Sequence, residues 1–199
     1  MGLVLDFEDG QTALSDEERE GLLLKTITLH SELDEFEQLN IENAIAWSLR
    51  KKLKKETVLT ENFIKTLHKK MFGNVWKWAG EFRKSEKNIG VKWIYISTEL
   101  KMLFDDTFFW IENKTYPNNE IAIRFKHKLV SIHCFANGNG RHSRLMADIL
   151  IENVFKETVF SWNESNMTKK PSETRKAYIN AIRAADDGDI VLLLKFASN

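Results

Sequence analysis

Helix-breaking residues are few and bunched in this chain, and nothing else in it limits the fold as strongly. Of 199 residues only Pro117 and Pro171 are proline, and glycines gather near 73–90 and at 138–140. The long segments between carry apolar residues at helical spacing. That spacing predicts helices over about 31–55, 60–72, 98–113, 119–132, 140–156, 171–186 and 188–197. Residues 1–25 read as an extension with a short helix from about Asp16. Ser31 and Thr60 are the natural N-caps, Gly73 is a stop, and Asp186-Asp187-Gly188-Asp189 breaks the last two helices. Leu33, Phe36, Ile41, Ile45 and Leu49 recur on one side of the 31–55 helix. Trp76-Lys77-Trp78-Ala79-Gly80 reads as aromatic packing on the core. One texture change interrupts the helices: Asn88-Ile89-Gly90-Val91 and Trp93-Ile94-Tyr95-Ile96 predict a small β-hairpin. The fold class is therefore mainly α.

The most chemically loaded stretch is His133-Cys134-Phe135-Ala136-Asn137-Gly138-Asn139-Gly140-Arg141-His142-Ser143-Arg144. Glycines let backbone N–H groups converge on an anion, and a helix starting there adds its positive end. Arg141 and Arg144, three apart, face one side of that helix and can both reach phosphate. His133 stands where a base would take a proton from an attacking hydroxyl. Phe135 reads as an apolar anchor for the loop. A zinc site from His127, His133, Cys134 and His142 lacks ligand spacing and a carboxylate partner.

Charge narrows the partners. Lys plus Arg equals Asp plus Glu at 29 each, so net charge gives no reason to expect nucleic acid. The run Arg50-Lys51-Lys52-Leu53-Lys54-Lys55 reads as the polar face and C-terminal turn of a helix. Cys134 is the single cysteine, which rules out an intrachain disulfide and points to a reducing, cytoplasmic setting. No 18-residue apolar run and no signal-like N-terminus are present, so no membrane association is expected.

His133, Phe135, Gly138, Asn139, Gly140, Arg141 and Arg144 match the signature that the Fic family carries, His-x-Phe-x-(Asp/Glu)-Gly-Asn-Gly-Arg-x-x-Arg; Asn137 holds the acidic position. The resemblance extends from about Leu59 to Arg144, including Trp78-Ala79-Gly80 and Asn88-Ile89-Gly90. The whole chain is similar to the Fic-related group called mobile mystery protein B. This resemblance implies a Fic-type helical domain over 58–199 with the hairpin, about Lys87–Ser97, as a flap over the active site. It implies an N-terminal extension, 1–57, whose helix at about 31–55 could be inhibitory.

The resemblance also implies an activity: transfer of AMP from ATP to a hydroxyl side chain of a protein, the target being another protein or the chain itself. His133 would be the catalytic base; Gly138, Asn139, Gly140, Arg141 and Arg144 would bind nucleotide phosphates. Relatives hold Mg2+ (or Mn2+) with the acidic residue, for which Asn137 is a poorer ligand because its oxygen is neutral. Ser31-Glu32-Leu33-Asp34-Glu35 matches the start of a restraint motif, Ser/Thr-x-x-x-Glu-Gly/Asn, with Phe36 in the last place. It assigns Glu35 an inhibitory pairing with Arg144. Two alternatives stand beside transfer: removal of AMP from modified proteins, and a catalytically silent nucleotide-binding or interaction protein.

Overall fold

Thr60 shows how locally the helices are set. Its hydroxyl accepts the Phe63 N–H at 3.2 Å and opens helix α4, Glu61–Phe72, whose buried face carries Phe63, Ile64, Leu67, His68, Met71 and Phe72. The computed structural model describes residues 16–27, 29–162 and 171–198. Before α4 come α1 (Asp16–Glu20), α2 (His30–Leu49) and α3 (Lys55–Val58). After it follow α5 (Ile96–Asn113), α6 (Asn118–Ile132), α7 (Asn139–Ile149), α8 (Pro171–Asp186) and α9 (Val191–Ser198), with a π-helical continuation of α7 over Leu150–Phe155. The part of the extension before Asp16 lies outside the described residues. Helices α6 and α7 pack on each other, α5 packs on α6, α2 on α4, and α8 on α9. Leu22, Ile27, Leu33, Ile41 and Ala44 share one core with Leu67, Phe125, Phe135 and Met146, so the N-terminal stretch is part of the same packed body.

Four expectations are corrected. Helix α2 begins at His30 and ends at Leu49, and the Glu32 carboxylate accepts the Leu29 N–H at 3.2 Å. The first-turn cap is thus Glu32, one residue beyond Ser31. The basic run continues past the helix end and is not its last turn. The inward row of α2 is Leu33, Glu37, Asn40, Ile41, Ala44 and Ser48, whereas Phe36, Ile45 and Leu49 are exposed. Counting apolar residues misphased the helix because three of its buried positions are polar.

The hairpin is the fourth correction. No strand pair forms among the described residues; Leu22 and Trp76 make an isolated antiparallel bridge. Trp93–Tyr95 is a 3-10 turn that runs straight into α5. Residues 83–91 are anchored chiefly by the Arg83 side chain, beside backbone bonds from Arg83 to Cys134 and from Val91 to Ile132. Arg83 is buried; its Nε donates to the His133 carbonyl at 2.7 Å, Nη1 to the Ser85 carbonyl at 2.9 Å, and Nη2 to the Val91 carbonyl. A guanidinium with five donors satisfies these carbonyls without a partner strand.

Candidate functional site

Helix α6 stops where His133 turns left-handed, with φ 58°, and α7 starts after Gly138, also left-handed at φ 77°. A Cβ on Gly138 would lie 2.6 Å from the Phe72 ring, so conformation and space both require glycine there. Asn139 shapes the loop between. Its Nδ2 donates to the Phe135 carbonyl at 2.8 Å and its Oδ1 accepts the Phe135 N–H at 3.0 Å. One N–H and the oxygen of that amide are thus taken up by the Phe135 backbone, so the side chain braces the loop while the Asn139 backbone N–H stays at the start of α7. Phe135 is completely buried, stacked on His68 with centroids 3.7 Å apart.

His68 ties α4 to the loop. Gly80 N–H donates to its Nδ1 at 3.0 Å, so the ring proton sits on Nε2 and bonds the Asn137 carbonyl at 3.0 Å. Burial, and then the neighbouring His142 ring, hold its pKa well below the usual histidine range. His142 is likewise buried; its Nε2 bonds the Ile64 carbonyl and burial takes its pKa down to about 3. Both act as neutral struts.

His133 itself is nearly buried, and desolvation followed by the Arg83 charge lowers its pKa to about 4. It is neutral at physiological pH and able to accept a proton. Gly90 sits against it: a Cβ there would come within 2.6 Å of the His133 Cβ. Val91 N–H bonds the Ile132 carbonyl at 3.3 Å, so the 83–91 segment covers the end of α6. Cys134 is buried and its thiol is pushed far above the ordinary range by desolvation, so it is no nucleophile.

The two arginines have different neighbours. Arg141 Nη1 bonds Glu37 Oε2 at 2.6 Å, with its guanidinium 5.0 Å from the Phe72 ring centroid. Glu37 is buried and its Oε1 accepts the Trp76 Nε1–H at 2.5 Å. Glu35, in contrast, is exposed, two residues and about 200° around α2 from the inward face. The carboxylate that reaches the signature is therefore Glu37, and it meets Arg141 rather than Arg144. Arg144 Nε is buried without a partner, and its guanidinium lies 5.4 Å from the Tyr178 ring centroid.

Asn137 Oδ1 accepts the Gly138 N–H at 2.5 Å, which caps one of the amides expected to hold phosphate. No cluster of three or more His, Cys, Asp or Glu suited to a metal occurs among the described residues, and the loop carries no carboxylate. This donor set does not fit a protein-held Mg2+ or Mn2+, which favours anionic oxygens. No helix among the described residues is long and apolar enough to cross a membrane.

His68, Arg83 and Glu37 join the site only through contacts distant in the chain. Only the polar residues at inward spacing on α2 could have signalled one of them.

Comparison with known proteins matches residues 58–151 to the Fic/DOC family. The curated protein adenylyltransferase Fic of Drosophila mojavensis is 27% identical over 180 residues, covering 88% of this chain and 33% of that protein. The protein of the same name from Aedes aegypti is 25% identical over 179 residues, with the same coverage. The chain thus spans about a third of the length of these curated relatives. Among solved structures, Fic-1 of C. elegans superposes with TM-score 0.64 at 24% identity, over 80% of this chain and 46% of that one. BepC of Bartonella tribocorum, solved with AMPPNP bound, gives TM-score 0.67 at 16% identity, over 92% and 97%.

Proposed function

We propose that this chain, whose residues 58–151 match the Fic/DOC family, is a protein adenylyltransferase that uses ATP as substrate. The observation that carries the reading is the juxtaposition of neutral His133 with a left-handed glycine turn and a helix start bearing Arg141 and Arg144. The target hydroxyl oxygen attacks the α-phosphorus. The bond from that phosphorus to the bridging oxygen breaks, pyrophosphate leaves, and the hydroxyl proton passes to His133. The backbone N–H groups of Asn139 and Gly140 and the two guanidiniums stabilise charge growing on the phosphates. Phosphates beside His133 oppose the effect of Arg83 and raise its basicity in the complex. No step passes through a protein-held metal.

The protein target, another chain or this one, docks on the exposed apolar side chains of Ile89, within the 83–91 segment, and of Trp93, Ile94 and Tyr95, just after it. Their exposure supports docking by side-chain contact in place of strand addition. Restraint belongs to Glu37: by neutralising Arg141 it withholds one cation from the phosphates. The buried single cysteine accords with a cytoplasmic setting.

The test is transfer of label from ATP carrying the isotope at the α-phosphate. Protein-bound label that is lost in His133→Ala supports transfer. ATP binding with no label on the chain or on added protein targets refutes it.

A further inference from the structure

Lys126 is fully buried on α6, and its Nζ lies 2.5 Å from the Tyr178 hydroxyl of α8 and 4.3 Å from that ring's centroid. An ammonium is rarely sealed from water without a carboxylate, because burial favours the neutral form. The groups facing Lys126 are Tyr178, the cation Arg144, and Asp186 at longer range; Asp186 itself bonds His127 at 2.8 Å. Burial and the Arg144 charge both depress its basicity. Two basic side chains thus converge with no carboxylate paired to either among the described residues, and Arg144 Nε is buried without a hydrogen-bond partner beside them. This is an electrostatic debt that an anion would settle.

The cluster opens onto the glycine turn. The Tyr178 hydroxyl lies 3.8 Å from where a Gly140 Cβ would sit, and Ser143, which donates to the Gly140 carbonyl at 3.0 Å, interacts with that hydroxyl. When Lys126 donates to the Tyr178 oxygen, the phenol proton is free to point to Ser143 or to a ligand oxygen. A chain Lys126–Tyr178–Ser143 therefore runs from the core to the anion nest.

We propose that Lys126 and Tyr178 extend the polyphosphate subsite of Arg144, so that protein cations supply the neutralisation that a loop lacking a carboxylate cannot obtain from a bound metal. The inference rests on the nucleotide-binding reading above. It makes binding of a polyphosphate largely independent of divalent cations in this chain. Lys126 polarises and aims Tyr178, and Tyr178 and Arg144 touch the phosphate oxygens.

The experiment is calorimetric titration of the full chain with inorganic tripolyphosphate and with ATP, each in EDTA and in Mg2+, for wild type, Lys126→Met, Lys126→Arg and Tyr178→Phe. Wild type is expected to bind both ligands in EDTA. Lys126→Met should weaken both by about tenfold or more, the loss of a charge-assisted contact, while Lys126→Arg retains most of the affinity. Tyr178→Phe should weaken both as well. Thermal melts of the unliganded proteins separate this from a folding defect. Lys126→Met should melt no lower than wild type, because it replaces a buried amine that burial and Arg144 both disfavour by an apolar side chain of similar length. ATP binding that is unaltered in Lys126→Met overturns the subsite and leaves the proposed function standing. So does ATP binding by wild type that requires Mg2+. Failure of wild type to bind ATP under either condition overturns the proposed function and this subsite together.

Discussion

Replacing Glu37 by glutamine separates restraint from scaffolding. Glutamine keeps an oxygen for the Trp76 Nε1–H but removes the charge that meets Arg141 and turns an NH2 toward it. Breaking a fully buried pair costs about 3–5 kcal/mol. Here the Arg141 side chain is 35% exposed against 7% for Glu37, so the released arginine can rotate into water. A loss of about 1–2 kcal/mol is expected, or roughly 3–6 °C in Tm for a chain of this size. Nucleotide binding should move the other way. Freed Arg141 offers phosphate a charge-assisted contact, enough for about tenfold tighter ATP binding. Differential scanning fluorimetry and ATP titration on the same preparations read both quantities. If stability falls and affinity falls with it, Glu37 is a brace that holds Arg141 in position, and the restraint assigned to it is wrong. Glu35→Gln, on the exposed side of α2, should change neither.

Other perturbations follow from the same contacts. Arg83→Lys keeps charge but cannot serve the His133, Ser85 and Val91 carbonyls together, so proteolysis should cut within 84–91 faster than in wild type; equal rates would show that the segment is held otherwise. Gly138→Ala combines a left-handed φ with a clash on Phe72 and should cost about 1–3 kcal/mol, measured by urea unfolding. Acid stability should follow the buried histidines. Their folded pKa values are depressed, to about 4 for His133 and about 3 for His142, so the unfolded chain binds more protons between those values and about 6.5. The stability they permit is complete above pH 6.5 and declines as pH falls toward 4; a flat urea midpoint across that window would contradict the burial argument.

How far the sequence could be read depended on where the determining contacts lie along the chain. Helices α4 to α9 follow from local periodicity, with Thr60 as a real cap and Gly188, at φ 98°, ending α8. The His133–Arg144 loop was legible because turn glycines and paired arginines sit within twelve positions of one another. Helix α2 was misphased because Glu37 and Asn40 are buried against Trp76 and Asn74, partners 34 or more positions distant. The hairpin failed for a related reason: Ile89, Val91 and Ile94 have strand propensity, yet the backbone finds Arg83 as its partner. Lys126 and Tyr178, 52 positions apart, carried no local signal at all.

The central claim is tested most directly by incubating the chain with ATP labelled at the α- or at the γ-phosphate, alone and with candidate protein targets. Wild type, Glu37→Gln and His133→Ala would be compared. The account predicts that protein acquires label from the α-position only, more in Glu37→Gln than in wild type, and none in His133→Ala. Label arriving from the γ-position, or undiminished α-label in His133→Ala, would contradict it.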